Sequence, residues 1–363
     1  MNETLTSRQI AFIIFAAIIG QTLYIPKFVA ESGGTGGWII LALSVPIVII
    51  LTYMYTYLGY VHKNKTLYEY SQLLVGKYVT YIFSAVYIIY FFLFFSANSR
   101  LLCENINIFI MPKTPVNAIF ILLISVIYLI LSKKLRVIGR LCEFYGTIFM
   151  IGMFTVLTII SSQGKLINIR PFFGSVDMIT YIKGLPNMII PFLGFEVLAY
   201  IGIARENTKK VFKYTALIVV FIGAYFIYMT EACISVIGVD DITHYKLSLF
   251  TTLRSIDVPY LDFLKRLDGV TMVLWFMSTT CHLTVFSYGA VIFISKCFKK
   301  IRYEIILPVV LVLSFIISKI PQTYNQAEDM LKYTSYLTVL TSLIIPLTLL
   351  IITKVKKYDK NIE

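Results

Sequence analysis

The sequence predicts an all-α integral membrane protein of about ten transmembrane helices, on three observations. Hydrophobic residues make up 58% of 363, about 210 in all, enough for about ten crossings at roughly 20 apolar residues each. Charged residues are 14% of the chain, against roughly 25% in a soluble domain. Mean hydropathy is +0.82. A cytosolic enzyme, a disordered chain and a disulfide-stapled secreted domain are all excluded by this composition.

The apolar runs place the spans at about 9–31, 37–59, 79–110, 115–132, 138–162, 180–203, 211–238, 266–296, 303–320 and 331–353. Together they form a single polytopic domain, 1–363, with approximate halves 8–163 and 178–354. Two connections have structure of their own. Thr66-Leu-Tyr-Glu69 opens a run with helical spacing that ends at Gly76 and predicts a surface helix behind a Thr cap. The long connection 239–265 has room for a short surface helix.

Orientation follows from the basic residues. About twenty Lys and Arg lie on the side of the N-terminus, among them Lys77, Lys133, Lys134, Lys209, Lys210, Lys299 and Lys300, against about ten on the other side. That bias puts both termini in the cytoplasm. The net charge of +13 is therefore a feature of membrane topology, and no nucleic-acid partner is implied. The five cysteines lie in or beside apolar runs without CxxC spacing and read as small hydrophobes. No cleavable signal is evident.

Two spans are interrupted. Span 1 reads Ile18-Ile-Gly-Gln-Thr-Leu-Tyr-Ile-Pro26, and span 6 reads Pro186-Asn-Met-Ile-Ile-Pro-Phe-Leu-Gly-Phe-Glu196. Glycine weakens a helix and proline removes an amide donor, while Gln21 and Thr22 offer polar partners for the freed backbone. Breaks in the first and sixth of ten spans are the pattern of an inverted five-plus-five repeat. Exposed helix ends then hold a small polar ligand near the midplane. The expected pocket lies between Gly20, Gln21, Thr22 and Tyr24 on one side and Leu193, Gly194, Phe195 and Glu196 on the other. Spans 3 and 8 close it, and Asn98 is a lining residue from span 3.

Pro191-Phe-Leu-Gly-Phe-Glu196, the Lys209-Lys210 pair, and Leu264-Lys-Arg-Leu-Asp268 followed by Trp275 resemble the integral-membrane B subunits of spore germinant receptors. Thr66-Leu-Tyr-Glu69 with Gly76-Lys77, and Gly37-Trp38, are similar to that family too. The resemblance runs over nearly the whole chain. It departs at Lys265, where the family commonly has Glu, and at Thr35-Gly36, where it has a charged pair. It implies the amino acid/polyamine transporter superfamily and a leucine-transporter-like fold in a spore inner membrane or cell membrane. Its partners would be a larger A subunit and a lipoprotein C subunit. In such a fold span 8 borders the ligand site, which adds Thr279 and Thr280, beside His282, to the candidate residues. The alternative for the two threonines is back-bonding within their own helix.

The charged residues inside spans have two readings each. Glu196 either works through its charge at the ligand site or only accepts hydrogen bonds from the unwound backbone. Arg100 and Glu104 share one helix face four residues apart, as a structural ion pair or as part of a polar gating path. Asp268 either gates the outer side and meets partners or pairs locally with Lys265 and Arg266. Glu143 is expected to face Arg140 or Lys134, and Glu231 to make a structural bond. No metal or cofactor is implied: Gly33-Gly-Thr-Gly-Gly37 lacks the Gly-Lys-Ser/Thr of a phosphate loop, and three histidines assemble no zinc site.

The expected function is a membrane subunit that binds a small germinant and signals through partner subunits. An amino acid is the default ligand, because exposed helix ends suit a zwitterion. The alternatives are a proton- or sodium-coupled amino acid permease and a scaffold. No nucleophile–base pair suggests an enzyme.

Overall fold

The computed structural model describes residues 5–20, 22–174, 178–204, 207–256 and 267–358. Its ten apolar segments follow the predicted order. Span 1 is α1 (Ser7–Ile19), a 3-10 turn (Thr22–Tyr24) and α2 (Ile25–Gly33). Spans 2 to 5 are α3 (Gly37–Val61), α4 (Leu67–Phe109), α5 (Val116–Ser132) and α6 (Lys134–Ser162). Span 6 is α7 (Met178–Ile189) followed by 3-10 turns at Ile190–Phe192 and Phe195–Tyr200. α8 (Thr208–Ile237) is span 7, and α9 (Val239–His244) and α10 (Ser248–Ser255) lie in the long connection. Spans 8 and 9 are α11 (Leu267–Cys297) and α12 (Tyr303–Ser318). Span 10 is α13 (Tyr324–Thr338), a π-helical turn (Val339–Ile344) and α14 (Ile345–Val355).

The centre of the bundle is α1, buried around its whole circumference from Ile10 to Ile19, as a helix apolar on every face must be. It lies against α6, α8, α11 and the second turn of span 6. α11 is buried along most of its length and packs on α4, α6 and α1. α5 and α12 lie outside and turn Leu122, Leu129 and Val312 outward. α2 and α3 are joined through Gly33 and Gly34, both non-helical, and the φ of 56° at Gly34 reverses the chain so that the two pack side by side.

Four details differ from the expected elements or refine them. The surface helix before span 3 is α4's first turns, with the Thr66–Glu69 capping box in place, and Gly76 (φ 81°) bends it into the span. The second half of span 6 is not an α-helix: six residues of 3-10 turn give way to extended chain at Ile201. Span 10 carries the π-turn, which leaves the Thr341 carbonyl free to accept from the Tyr55 and Tyr87 hydroxyls at 2.5 and 2.6 Å. The connection after span 7 does not lie on the surface throughout. α10 buries Leu249, Phe250 and Leu253 against α8 and α11 and also packs on the 3-10 turn of span 1.

Candidate functional site

The two breaks meet. α1 stops at Ile19, and Pro26 at the start of α2 removes the amide that would bond the Thr22 carbonyl. In span 6, Leu193 is extended and Gly194 takes φ 145°, a conformation that suits glycine alone. A Cβ at Gly194 would lie 2.8 Å from the Ala17 carbonyl carbon, so backbone touches backbone.

Span 8 satisfies the carbonyls that span 1 releases. His282 Nδ1 lies 2.7 Å from the Ala17 carbonyl oxygen. The Gly20 carbonyl accepts from Trp275 Nε1 at 3.2 Å, with Thr279 Oγ1 at 3.5 Å. Thr22 Oγ1 caps the Ile19 carbonyl at 2.5 Å. Gly20 faces the imidazole so closely that a Cβ there would come within 2.5 Å of its Cγ. Facing a carbonyl, Nδ1 carries the proton, and Nε2 remains a buried acceptor without a partner among the described residues. Phe94 and Phe286 pack on this ring.

Glu196 is fully buried and its oxygens are well supplied. Tyr90 from span 3 donates its hydroxyl to Oε1. The Gly194 amide donates to Oε2 at 2.9 Å, and Ser342 Oγ from the π-turn of span 10 lies at 3.4 Å. A buried carboxylate is tolerated when its lone pairs are filled in this way. The arrangement ties span 6 to spans 3 and 10 at the level of the break.

The other expected residues are distributed as follows. Phe195 is fully buried against the Tyr55 ring, and Leu193 is buried beside it. Gln21 lies outside the described residues. Asn98 Nδ2 and Thr280 Oγ1 bond carbonyls one turn back in their own helices, at 3.0 and 2.8 Å. The Tyr24 hydroxyl joins spans 3 and 10 through Asn105 at 2.8 Å and Tyr324 at 3.2 Å. Arg100 and Glu104 form a direct ion pair at 2.7 Å. Asp268 caps the Gly269 amide at 2.9 Å and meets Arg254 at 3.3 Å, whereas Lys265 and Arg266 lie outside the described residues. Glu143 turns to Arg8 at 2.8 Å rather than to Arg140 or Lys134. Glu231 makes no structural bond: neither carboxylate oxygen has a partner among the described residues.

Tyr90, Tyr55, Tyr87 and Ser342 were not singled out in the sequence. Tyrosines inside apolar runs look like core residues, and only Pro346, which leaves the Ser342 carbonyl without its helical donor, hinted at an irregular span 10.

Broken, contacting spans 1 and 6 inside a ten-segment bundle define a leucine-transporter-type membrane protein. A Na+-coupled sialic acid symporter shares the fold with a TM-score of 0.64 at 12% identity, over 94% of this chain and 79% of that one. The family model described as "Spore germination protein" matches residues 4–327, and the chain belongs to that family. Among its relatives is spore germination protein YndE of Bacillus subtilis (strain 168), 22% identical over 360 residues that cover 98% of each chain. Spore germination protein B2 of the same organism is 25% identical over 337 residues, 89% of this chain and 88% of its own. The chain is thus a germinant-receptor-like multi-pass membrane protein.

Proposed function

We propose that this chain is the membrane subunit of a spore germinant receptor that binds a small germinant, of amino acid class, where the two breaks meet. The observation that carries the reading is the backbone contact of Gly194 with Ala17 in a chain of this family. A ligand that moves either unwound segment must move the other, and with it the two halves, 8–163 and 178–354. Gly20, Thr22, Gly194, Phe195, Glu196 and Thr279 form the site, with Leu193, Asn98 and Thr280 around it. Within it, His282 Nε2 is the acceptor left for a ligand N–H or O–H. Glu196 holds the shape of the span 6 side. Tyr24, Arg100 and Glu104 lie along the polar route on the side away from the N-terminus, and Asp268 braces α10 there.

The termini are cytoplasmic, the location is the spore inner membrane, and the partners are an A subunit and a lipoprotein C subunit. Binding is passed to them without net transport. The symporter-like fold favours one second reading, an ion-coupled amino acid permease. Purified chain in proteoliposomes, offered a panel of labelled amino acids, separates the two. Saturable binding without uptake is the expected result. Uptake against a gradient would make it a permease, and neither binding nor uptake would leave a scaffold.

A further inference from the structure

On the side of the N-terminus, a hollow opens between the surface-helix part of α4 and the end of α11. Lys77, Lys299 and Lys300 line it together with Tyr68, Gln72 and Tyr81. Gly76, with φ of 81°, bends the chain at the hollow's edge, and just beyond the bend Lys77 lies over the Tyr81 ring one helical turn on, Nζ 5.8 Å from the centroid. Gln72 Nε2 bonds the Tyr68 hydroxyl at 2.9 Å and fixes the floor.

The charges here are uncompensated. No Asp or Glu lines the hollow, and none of the three lysines has an ion-pair partner among the described residues. Neighbouring lysines are already engaged, Lys296 with Glu69 at 2.7 Å and Lys356 with the Leu74 carbonyl at 2.6 Å. Glu69 is thereby withdrawn as a counter-charge. Three ammonium groups held round one hollow beside tyrosine hydroxyls suit a phosphate.

The rim decides the source of that phosphate. Phe298, Ile301, Tyr78 and Ile82 are exposed, Tyr78 at 86%. Apolar side chains next to a basic hollow at the end of a membrane span offer acyl chains a surface and a headgroup a counter-charge. We propose that this hollow is a binding site for the headgroup of an anionic phospholipid, tying the α4 bend to the end of span 8. It is independent of the ligand site between the breaks.

The test is thermal unfolding of the purified full chain in neutral detergent, titrated with phosphatidylglycerol, phosphatidylcholine or inorganic phosphate. A ligand that binds only the folded state raises the unfolding temperature with concentration. Phosphatidylglycerol is expected to raise it by several degrees, and the other two by little. The triple variant K77Q/K299Q/K300Q should lose that rise while unfolding at the wild-type temperature without lipid. A control triple on the same side, K133Q/K134Q/R136Q, should keep it. Equal rises with phosphatidylcholine or with free phosphate would overturn the proposal, as would equal loss in the control. A hollow variant that keeps its lipid response but no longer assembles with partner subunits would assign the lysines to an acidic protein segment and overturn it too.

Discussion

His282 Nδ1 sits 2.7 Å from the Ala17 carbonyl oxygen, a contact between residues 265 apart that supplies the break in span 1 with its donor from span 8. The imidazole has two tasks that substitutions can separate. Asparagine reaches the Nδ1 position and can still donate to Ala17, but it has nothing at Nε2. His282→Asn should therefore keep normal abundance and lose apparent germinant affinity by about 5- to 10-fold, the worth of one neutral hydrogen bond. His282→Ala leaves a buried carbonyl unpaired, at a cost of about 1–3 kcal/mol, and should lower abundance as well. A germination dose–response read with subunit level checks both. A wild-type response from the Asn variant would show that Nε2 does not meet the ligand.

The two break glycines should fail differently. At Gly20 the three atoms nearest an added Cβ all belong to the His282 side chain, from 2.5 Å at Cγ to 2.8 Å at Cβ, so the imidazole must move. Gly20→Ala is expected to weaken the response, because a displaced ring gives up its bond to the Ala17 carbonyl. At Gly194 the obstacle is the backbone of Ala17, at 2.8 Å, with φ at 145° besides. No side-chain shift relieves that, so Gly194→Ala should cut membrane abundance several-fold. Equal abundance of wild type and Gly194→Ala would mean the two breaks do not hold each other.

Both breaks, the surface helix before span 3 and the order of ten spans were legible in the sequence because their signals are local. Gly, Pro, a capping box and a run of apolar residues act within a few positions. What stayed hidden depends on partners far along the chain. Nothing near Glu196 says that Tyr90, 106 residues earlier, and Ser342, 146 residues later, will fill its lone pairs. Tyr24 lies beside the span 1 break in sequence, yet its hydroxyl is drawn away by Asn105 and Tyr324. The second half of span 6 has the apolar length of a helix, but Gly194's contact with Ala17 overrides that propensity.

His62, just beyond the end of α3, makes stability depend on pH. Burial pushes its pKa down to about 4, helped by the nearby Lys65 charge. The ring stacks on Tyr70 at 5.1 Å and bonds Thr353 Oγ1 at 3.2 Å. In the unfolded chain the imidazole takes a proton near pH 6.5, whereas the folded chain resists until about pH 4. The unfolded state therefore binds more protons between these values, and stability is full above about pH 6.5 and falls as pH drops towards 4. Unfolding temperatures across pH 7 to 4 should decline less for His62→Gln than for wild type. Parallel curves would mean that His62 ionises as freely in the fold as out of it.

Glu196 has the three donors that an architectural carboxylate needs, and that fixes the expected behaviour of its variants. Glutamine keeps one acceptor for the Gly194 amide, which cannot turn away, and for Ser342 on the same oxygen, and presents its amino group to Tyr90, whose hydroxyl can rotate to accept. Glu196→Gln should therefore retain most of the abundance and most of the response, with apparent affinity within a few-fold of wild type. Alanine strands the Gly194 amide and two buried hydroxyls, each at about 1–3 kcal/mol, and should deplete the subunit from the membrane. Tyr90→Phe removes one donor and belongs between them. A complementary change separates shape from charge: Tyr90→Phe in the Gln background should cost less than the sum of the single changes, because each has already removed the other's partner. Dose–response curves with subunit abundance for wild type and the four variants decide the matter. A normally abundant Gln variant that no longer responds would mean that Glu196 acts through its charge on the ligand, and the architectural account would fall.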